Sequence, residues 1–318
     1  MDNAKNIMQH LEEFIVYKKT IGYIYDTQSH YLKRYADYAM RMNNSIMYPA
    51  KKITDNYLRE LSSVPGTLYG TISALREFSR YMHMQGYSDA YIIPPKSGRQ
   101  PTPEPPYFFT QKECDDFFEA LDTIEAHLSF KGRELVIPAL FRLLYCCGLR
   151  CKEARTLRCE DVHIENLYLD ILQSKGPKSR RIFITSELAE YLKRYDNAIS
   201  VLFPERIYFF PSKDGCYGKG AVSSNFRRFW KKAYPDFVMT TRPRAYDFRH
   251  HFAWSNLNKW AAEGIDINVM SAYLMRYMGH QTLSETLYYF HFVPEFFPTF
   301  KEMTSSLEDV IPEVWDEE

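Results

Sequence analysis

A proline-rich stretch constrains this chain more than any other part of its sequence. Residues 92–108 read IIPPKSGRQPTPEPPYF and contain six prolines. Proline lacks a backbone N–H and fixes φ, so this density excludes a regular helix or strand and favours a stiff, extended linker. We therefore predict an N-terminal domain over residues 1–93, a linker over 94–107 and a second domain from residue 108. The length of 318 residues also fits about two domains.

The sequence before the linker predicts helices only. Four segments place apolar residues three or four positions apart, as on the buried face of a helix: MQHLEEFIVYKK, SHYLKRYADYAMRM, TDNYLRELSS and TLYGTISALREFSRYMHM. Boundary signals occur at Asp26–Thr27, Thr54–Asp55 and Pro65–Gly66. We predict a bundle of about four helices. Some basic residues on these helices are candidates to face a polyanion, although a solvated helix face explains each equally well: Lys33, Arg34 and Arg76.

The sequence after the linker mixes helical and strand patterns. Helical spacing runs through QKECDDFFEALDTIEAHL and ELVIPALFRLLYCCG. Two strand-like segments, residues 167–174 and 180–186, flank the turn KGPKS and predict a β-hairpin, to which the preceding VHIEN can add a short strand. Helical patterns then continue from ELAEYLKRYD to PEFFPTFKEM. The predicted fold class is mainly α with a small antiparallel β-sheet.

Charge is unevenly placed along the chain although the formal net charge is zero. The tail, residues 302–318, holds seven of the 40 acidic residues and none of the 40 Lys and Arg residues, which leaves residues 1–301 with a net charge of +7. An acidic tail on a basic body fits a nucleic-acid binder, although charge runs are also common on solvated surfaces.

Composition argues against membrane and secreted classes. No apolar run approaches the roughly 20 residues of a membrane-spanning helix, and the N-terminal MDNAKNIMQHLEEF is polar and acidic, unlike a signal peptide. The six cysteines show no paired framework and no CxxC, which indicates reduced thiols. We expect a cytoplasmic protein with no membrane partner.

Four separated stretches of the second domain place polar residues where a helical core would exclude them. They are GLRCKEA (148–154), SKGPKSRR (174–181), YDFRHHFA (246–253) and GHQTLSETLYYFHF (279–292). In the first stretch, Gly148 permits a tight turn before Arg150, and Glu153 lies one helical turn later, where it can hold the guanidinium. In isolation this pair also fits a surface salt bridge, and the second stretch also fits an ordinary charged hairpin turn.

Taken in order, these stretches resemble the motif boxes of the tyrosine recombinase, or phage integrase, family. GLRCKEA is similar to the first arginine box, SKGPKSRR to the β-hairpin lysine, YDFRHHFA to the HxLRHxxA box and GHQTLSETLYYFH to the LGHxxxxTTxxYxH box. Each motif is moderately specific, but the four in one order are highly specific. The resemblance covers nearly the whole chain and implies a helical core-binding (SAM-like) domain, a mixed α/β catalytic domain over residues 108–301 and an acidic tail over 302–318.

The resemblance implies a role for each matched residue. Arg150 and Arg249 resemble the arginines that bind the nonbridging oxygens of the scissile phosphate, for which a fixed guanidinium fork is suited. His280 resembles the histidine that hydrogen-bonds the phosphate, and Lys175 the general acid that protonates the departing 5′ oxygen. Tyr289 resembles the nucleophile of a 3′-phosphotyrosyl intermediate, which stores the phosphodiester energy and needs no ATP. The supporting residues are Glu153, which buttresses Arg150, and His250.

Two adjacent tyrosines are assigned different tasks. Neighbours on a helix point about 100° apart, so Tyr288 and Tyr289 cannot both face one phosphate. The motif spacing selects Tyr289 as the nucleophile and leaves Tyr288 as a core-type aromatic. The basic residues predicted to contact DNA are Lys178, Arg180, Arg181, Lys33, Arg34 and Arg76. The family uses no metal for this chemistry, and no metal or cofactor is expected, since the sequence shows no HExxH, paired-carboxylate or Cys/His ligand cluster.

Tyr246 departs from the family pattern, which has histidine at this position. A phenol, with an ordinary pKa of about 10, can donate a hydrogen bond to a phosphate but is a poorer general base near neutrality than imidazole. Either Tyr246 keeps the donor role, or the enzyme is slowed or depends on another base such as His250 or His251.

The implied function is site-specific recombination of double-stranded DNA by a bacterial or phage enzyme. The family acts as a homo-tetramer on two duplexes and passes through a Holliday junction. The segment VPEFFPTFKEM (293–303) resembles the terminal helix that packs into a neighbouring subunit, with packing inside one chain as the alternative. The alternative functions are a type IB topoisomerase-like enzyme that relaxes supercoils and a catalytically weak DNA-binding module, which Tyr246 would explain.

Overall fold

Two compact units make up the computed structural model of the chain, one over Met1–Glu104 and the other over Pro105–Glu318. The structure describes residues 5–95, 104–172, 179–237 and 241–289. Within these residues, no helix has both the length and the apolar character that crossing a membrane requires.

The N-terminal unit is a helical bundle of α1 (Ile7–Thr20), α2 (Asp26–Met42), α3 (Lys51–Glu60) and α4 (Pro65–Met84). Helix α2 packs against the other three, and their apolar faces form one aromatic-rich core. Asn6 forms a capping box with Gln9 at the start of α1. Pro65 is the first residue of α4, where a backbone N–H has no hydrogen-bond partner within the helix, so proline costs no hydrogen bond there. The helical fold predicted for this part is confirmed.

Helix α3 begins at Lys51, ahead of the boundary predicted at Thr54–Asp55. The Thr54 hydroxyl shares a buried 2.7 Å hydrogen bond with the Tyr35 hydroxyl instead of capping the helix. A residue type that often marks a helix start therefore satisfies a polar partner in the core.

The C-terminal unit is built around the buried helix α6 (Arg133–Cys147). The helices that contact α6 are α5 (Gln111–Asp122), α7 (Cys151–Arg155), α8 (Ser186–Leu202) and α10 (Asp247–Ala262). The others are α9 (Ala221–Ala233), α11 (Ile267–Met278) and α12 (Leu283–Leu287). Phe117, Phe141, Phe226 and Phe248 have all ring centroids within 5.0–6.3 Å of one another. This aromatic cluster fixes α5, α6, α9 and the start of α10 relative to one another.

Three short strands form an antiparallel sheet in the order β1 (Val162–His163), β2 (Tyr168–Ile171) and β3 (Arg180–Phe183). Leu169 pairs with buried Ile182, whereas the neighbouring pair Asp170–Arg181 lies on the other face, as the two-residue strand period requires. A second hairpin pairs β4 (Pro211–Ser212) with β5 (Gly215–Cys216). The predicted hairpin is confirmed, and its tip, residues 173–178, lies outside the described residues.

Candidate active site

The described parts of the four motif stretches converge at one site in the C-terminal unit. They are the turn between α6 and α7, strand β3, the first turn of α10, and the segment from the end of α11 through α12. Side-chain hydrogen bonds join each of these parts to at least one of the others. Residues far apart in the sequence are thereby held in a single cluster.

A glycine turn positions Arg150. Gly148 ends α6 with φ +57°, and a Cβ atom there would lie 2.5 Å from the Phe252 ring, so both the backbone and the space require glycine. The backbone N–H of Arg150 and its Nη1 each donate to the Glu153 carboxylate over 2.9 Å. Its Nη2 donates to the carbonyl oxygen of Gly279 at 2.9 Å, which ties α7 to the end of α11. The predicted contact between Glu153 and Arg150 is therefore present.

Glu153 is shared between two arginines. Arg180 Nη1 and Nη2 donate to the same two carboxylate oxygens at 3.0 and 2.8 Å. Burial opposes ionisation of this carboxyl, but the hydrogen bonds and charges of Arg180 and Arg150 outweigh it and lower the pKa of Glu153 to about 2. A carboxylate with a pKa this low remains charged throughout the neutral range and holds both guanidinium groups in place.

Arg180 is not placed for the DNA contact that the sequence predicts. Its side chain is only 9% exposed, and its Nε donates to the carbonyl oxygen of Tyr277 at 2.7 Å. A Cβ atom at Gly279 would lie 2.9 Å from Arg180 Nη1, so this close approach requires the glycine. The sequence carried a signal for this burial, because Arg180 shares its strand face with buried Ile182, two residues on.

Arg249 is a deeply buried charge of the site. It is 1% exposed, and its Nη1 and Nη2 donate to the carbonyl oxygens of Gly148 and Met278, both at 2.7 Å. Burial lowers the pKa of Arg249, and the nearby Arg150 lowers it further. Because these acceptors are neutral, they fix the guanidinium without neutralising it. A guanidinium has five N–H donors, and among the described residues these bonds use two of them, which leaves three for a bound anion.

Tyr289 lies inside the cluster and Tyr288 outside it, which reverses the predicted packing of the pair. Tyr289 is 3% exposed and packs with Ala253, Leu257, Leu274 and Met278, whereas Tyr288 is 41% exposed. The expectation that Tyr288 is the core-type aromatic is therefore wrong, because α12 turns Tyr289 toward α10 and α11. Burial raises the pKa of the Tyr289 phenol, and the charges of Arg249 and Arg150 partly oppose this rise.

His280 follows the glycine that ends α11. Its Nδ1 lies 2.7 Å from the Thr286 hydroxyl, and its ring lies nearly parallel to the Tyr289 ring, with centroids 6.3 Å apart. Burial, followed by the charges of Arg249, Arg150 and Arg180, lowers the pKa of His280 to about 3. The imidazole is therefore neutral at pH 7.

The start of α10 places Tyr246 and His250 on one face. Tyr246 is 42% exposed, and its ring meets the His250 ring edge-on at 5.0 Å. His250 Nδ1 lies 2.8 Å from the Tyr289 hydroxyl. His251 instead packs against aromatic rings of the core, including Tyr145 at 5.6 Å. Of the two histidines predicted as alternative bases, only His250 contacts a site residue by a hydrogen bond in the described structure.

The remaining predicted residues lie on the exposed face of β3, in the N-terminal unit or outside the described residues. Lys175, Lys178 and the segment 293–303 lie outside them. Arg181 pairs with Asp170 at 2.9 Å, on an exposed sheet face. In the N-terminal unit, Lys33 and Arg34 are exposed, whereas Arg76 donates to the carbonyl oxygens of Ile93 and Pro94. Among the described residues, no group of three or more His, Cys, Asp or Glu side chains is placed to hold a metal ion.

The sequence model of a known protein family matches this chain. The model described as the phage integrase family matches residues 107–295, which is more than half of the chain. The chain belongs to the phage integrase family. It is therefore a tyrosine recombinase, a member of a class of enzymes that break and rejoin DNA. The family match contains every described residue of the cluster, from Gly148 to Tyr289.

Curated relatives have low sequence identity to this chain, but the similarity extends over most of its length. A protein of Pseudothermotoga lettingae named tyrosine recombinase is 28% identical over 251 residues, covering 76% of this chain and 77% of the relative. The tyrosine recombinase XerC of Lactobacillus leichmannii is 25% identical over 234 residues, covering 71% of this chain and 72% of the relative.

Solved structures share the fold of this integrase-family chain. The XerH site-specific recombinase, in a post-cleavage complex with its palindromic difH substrate, matches with a TM-score of 0.60 and 20% identity over 89% of this chain and 79% of XerH. A lambda integrase dimer bound to a core site matches with a TM-score of 0.64 and 14% identity over 91% of this chain and 78% of the integrase chain. These likenesses agree with the predicted fold class of a helical domain followed by a mixed α/β catalytic domain.

Proposed function

We propose that this chain is a site-specific DNA recombinase that cleaves and rejoins double-stranded DNA with Tyr289 as its nucleophile. The observation that carries the proposal is the burial of the Tyr289 phenol near the fixed guanidinium groups of Arg249 and Arg150, in a cluster where three arginines face one carboxylate. Arg249 donates only to neutral carbonyl oxygens through its described hydrogen bonds, and Arg150 shares one carboxylate with Arg180. A site with excess fixed positive charge next to a hydroxyl nucleophile suits a phosphodiester substrate.

In the proposed cleavage step, one P–O bond forms as another breaks, the attacking oxygen loses a proton and the leaving oxygen gains one. The Tyr289 hydroxyl oxygen attacks the phosphorus, the P–O5′ bond breaks, and a 3′-phosphotyrosyl bond forms. Arg150 and Arg249 bind the nonbridging oxygens through the N–H groups that their protein partners leave available. Lys175 protonates the leaving 5′ oxygen, while His280 and Tyr246 donate hydrogen bonds to the phosphate. The bond energy is kept in the intermediate, so rejoining requires no ATP, and the step uses no metal.

The proposed active form is a tetramer that holds two DNA duplexes and passes through a Holliday junction. Lambda integrase has been solved as a tetramer bound to a Holliday junction, with a TM-score of 0.63 to this chain. The C-terminal unit also carries a groove of about 1420 Å³ with an apolar wall that includes Phe183, Leu188, Trp260 and Leu274. We infer that segment 293–303 of a neighbouring copy contributes to the contact between subunits.

A suicide substrate tests the nucleophile directly. A duplex selected from a random pool for binding to the protein would be nicked beside the cleavage position, so that cleavage releases a short strand and traps the covalent adduct. We expect the parent protein to form the adduct, Tyr289→Phe to form none and the matched Tyr288→Phe to retain it, since Tyr289 is buried in the cluster with its hydroxyl 2.8 Å from His250 Nδ1, whereas Tyr288 is 41% exposed. Denaturing gel electrophoresis measures the adduct.

Other outcomes of this experiment have defined meanings. An adduct with Tyr289→Phe but none with Tyr288→Phe would move the nucleophile by one residue. If the parent protein binds DNA but forms no adduct, the result would favour a DNA-binding module without cleavage activity. Relaxation of supercoiled plasmid together with failure to recombine paired sites would favour the topoisomerase-like activity.

A further inference from the structure

We propose that His250 is the group that receives the Tyr289 proton during cleavage, and that Tyr246 does not serve as the base. The proposal rests on the proposed function and deepens it, because it assigns a proton acceptor to the attack by Tyr289. His250 follows Arg249 directly on α10, so the residue that binds the phosphate and the one that accepts the proton come from the same helical turn.

The geometry is that of a nucleophile and its base. The distance from His250 Nδ1 to the Tyr289 hydroxyl oxygen is 2.8 Å, within the range required for direct proton transfer. The two ring centroids lie 5.6 Å apart, and the Tyr246 ring packs edge-on against the imidazole at 5.0 Å. The imidazole is therefore held by contacts with both tyrosines.

The protonation states give this hydrogen bond one donor and one acceptor. Burial lowers the pKa of His250 to about 4, so the imidazole is neutral at pH 7 and has one nitrogen free to accept. Burial raises the pKa of the Tyr289 phenol, which therefore carries its proton. We assign the ring proton to Nε2, so that the Tyr289 hydroxyl donates and His250 Nδ1 accepts. The unreacted site is thus already in the arrangement that precedes proton transfer.

The other basic groups near the site do not offer this arrangement. His280 Nδ1 faces the Thr286 hydroxyl at 2.7 Å. His251 is buried among core rings, and its Nδ1 has no hydrogen-bond partner in the described part of the chain. Tyr246 carries a phenol, which is a weak base in its protonated form. His250 is therefore the acceptor that the geometry selects.

The step balances without any further reactant. As the Tyr289 oxygen bonds to phosphorus and the P–O5′ bond breaks, the phenolic proton passes to His250 Nδ1. The leaving 5′ oxygen takes a separate proton from the general acid, which the proposed function assigns to Lys175. The anionic phosphodiester, bound at this moment, stabilises the imidazolium that forms. In the rejoining step, His250 returns its proton to the Tyr289 oxygen.

An isosteric pair of variants tests the assignment. His250→Asn keeps a hydrogen-bond acceptor near the position of Nδ1, but an amide cannot hold the proton. His251→Asn is the control, because it makes the same change at the next residue, which does not contact the nucleophile. We expect His250→Asn to slow adduct formation on the suicide substrate by roughly 100-fold, within the range of a general base. We expect His251→Asn to remain within about threefold of the parent, since it removes no group that contacts the nucleophile.

A more acidic nucleophile separates proton transfer from positioning. Trifluorotyrosine incorporated at position 289 ionises far more readily than tyrosine and therefore depends less on a base. We expect the deficit of His250→Asn to shrink at least about tenfold in this background, an outcome that also shows that the variant is folded and binds DNA. An unchanged deficit would reduce His250 to positioning and overturn the proposal, as would parental rates for His250→Asn. No adduct from the unaltered protein would instead overturn the proposed function itself.

Discussion

Tyr246 stands at the edge of the site, half in solvent, with its ring against His250. This position suits a hydrogen-bond donor to a DNA phosphate arriving from outside. We expect Tyr246→Phe to lower the rate of adduct formation roughly tenfold, near the low end for one hydrogen bond to a charged group at an exposed position. Tyr246→His, which restores the family pattern, should preserve or raise the rate. Single-turnover kinetics on the suicide substrate measures both, and a parental rate for Tyr246→Phe would contradict the donor role.

The chemistry of individual residues was easier to predict than their burial. Motif spacing selected Tyr289 over Tyr288, and the structure brings Tyr289 into the cluster with Arg249, His250 and His280. The same reasoning assigned core packing to Tyr288, which is exposed. Two adjacent aromatics have equal apolar character, so composition cannot decide which one is buried. That choice depends on how α12 is oriented against α10 and α11, which is a tertiary property.

Secondary-structure elements are coupled at the site through Glu153. Its carboxylate joins α7 to β3, and Arg180 continues the connection to the end of α11 through the Tyr277 carbonyl. The strand that leads out of the hairpin is thus tied to the same carboxylate that orients Arg150. We infer that Arg180 is a positioning residue, which acts on the phosphate site only through Glu153.

Replacing Arg180 should disturb both stability and cleavage. We expect Arg180→Ala to lower the free energy of unfolding by about 3 kcal/mol, because a buried carboxylate loses one of its two charged partners. The rate of adduct formation should fall as well, since Arg150 is then held less firmly. Arg180→Lys should recover only part of both losses, because an ammonium cannot bridge two oxygens as a guanidinium does. Urea unfolding and the suicide-substrate assay give the two readouts.

The neighbouring arginine provides the matched control for this prediction. Arg181 carries the same charge on the same strand, but its side chain is half exposed and pairs with Asp170. We expect Arg181→Ala to leave the free energy of unfolding nearly unchanged, as for other surface ion pairs. Equal losses of unfolding free energy for Arg180→Ala and Arg181→Ala would show that the bonds between Arg180 and Glu153 stabilise the fold no more than a surface ion pair does.

The sequence predicts the type of each secondary-structure element more reliably than its first and last residues or the residues that it contacts. The two-residue alternation of β2 and β3 and the helical spacing around α6 depend on local burial, which a sequence pattern records. The start of α3 was misplaced because Thr54 serves Tyr35 across the bundle. Arg180 was assigned to DNA because charge alone suggests exposure, whereas its partner Glu153 lies 27 residues earlier in the chain. The two-residue strand period places Arg180 on the face of buried Ile182, but a contact partner this far away in the sequence is set by the fold.

Buried histidines occur in both units and give the whole molecule a common response to acid. Burial lowers the pKa of His10 in the N-terminal unit and brings the pKa values of His250 and His251 to about 4 and that of His280 to about 3. An unfolded histidine titrates near pH 6.5. Between these values the unfolded chain binds more protons than the folded one, so stability is complete above about pH 6.5 and is lost as the pH falls.

His251 allows this response to be measured without altering the proposed chemistry. It is buried among Phe109, Tyr145 and Trp254, and its Nδ1 finds no partner in the described residues, so phenylalanine can replace it without breaking a described hydrogen bond there. Urea unfolding of the parent should show a free energy that is nearly constant above pH 7 and decreases from about pH 6.5 toward pH 4. In His251→Phe this decrease should be smaller by up to about 3 kcal/mol, since one shifted titration has been removed.

Glu153 adds a second loss at lower pH: its folded pKa of about 2 lies below the ordinary 4.5, so its contribution is complete above about pH 4.5 and disappears as the pH falls toward 2. An equal decrease between pH 6.5 and 4 in the parent and in His251→Phe would show that His251 accepts a proton in the folded chain as readily as in the unfolded one.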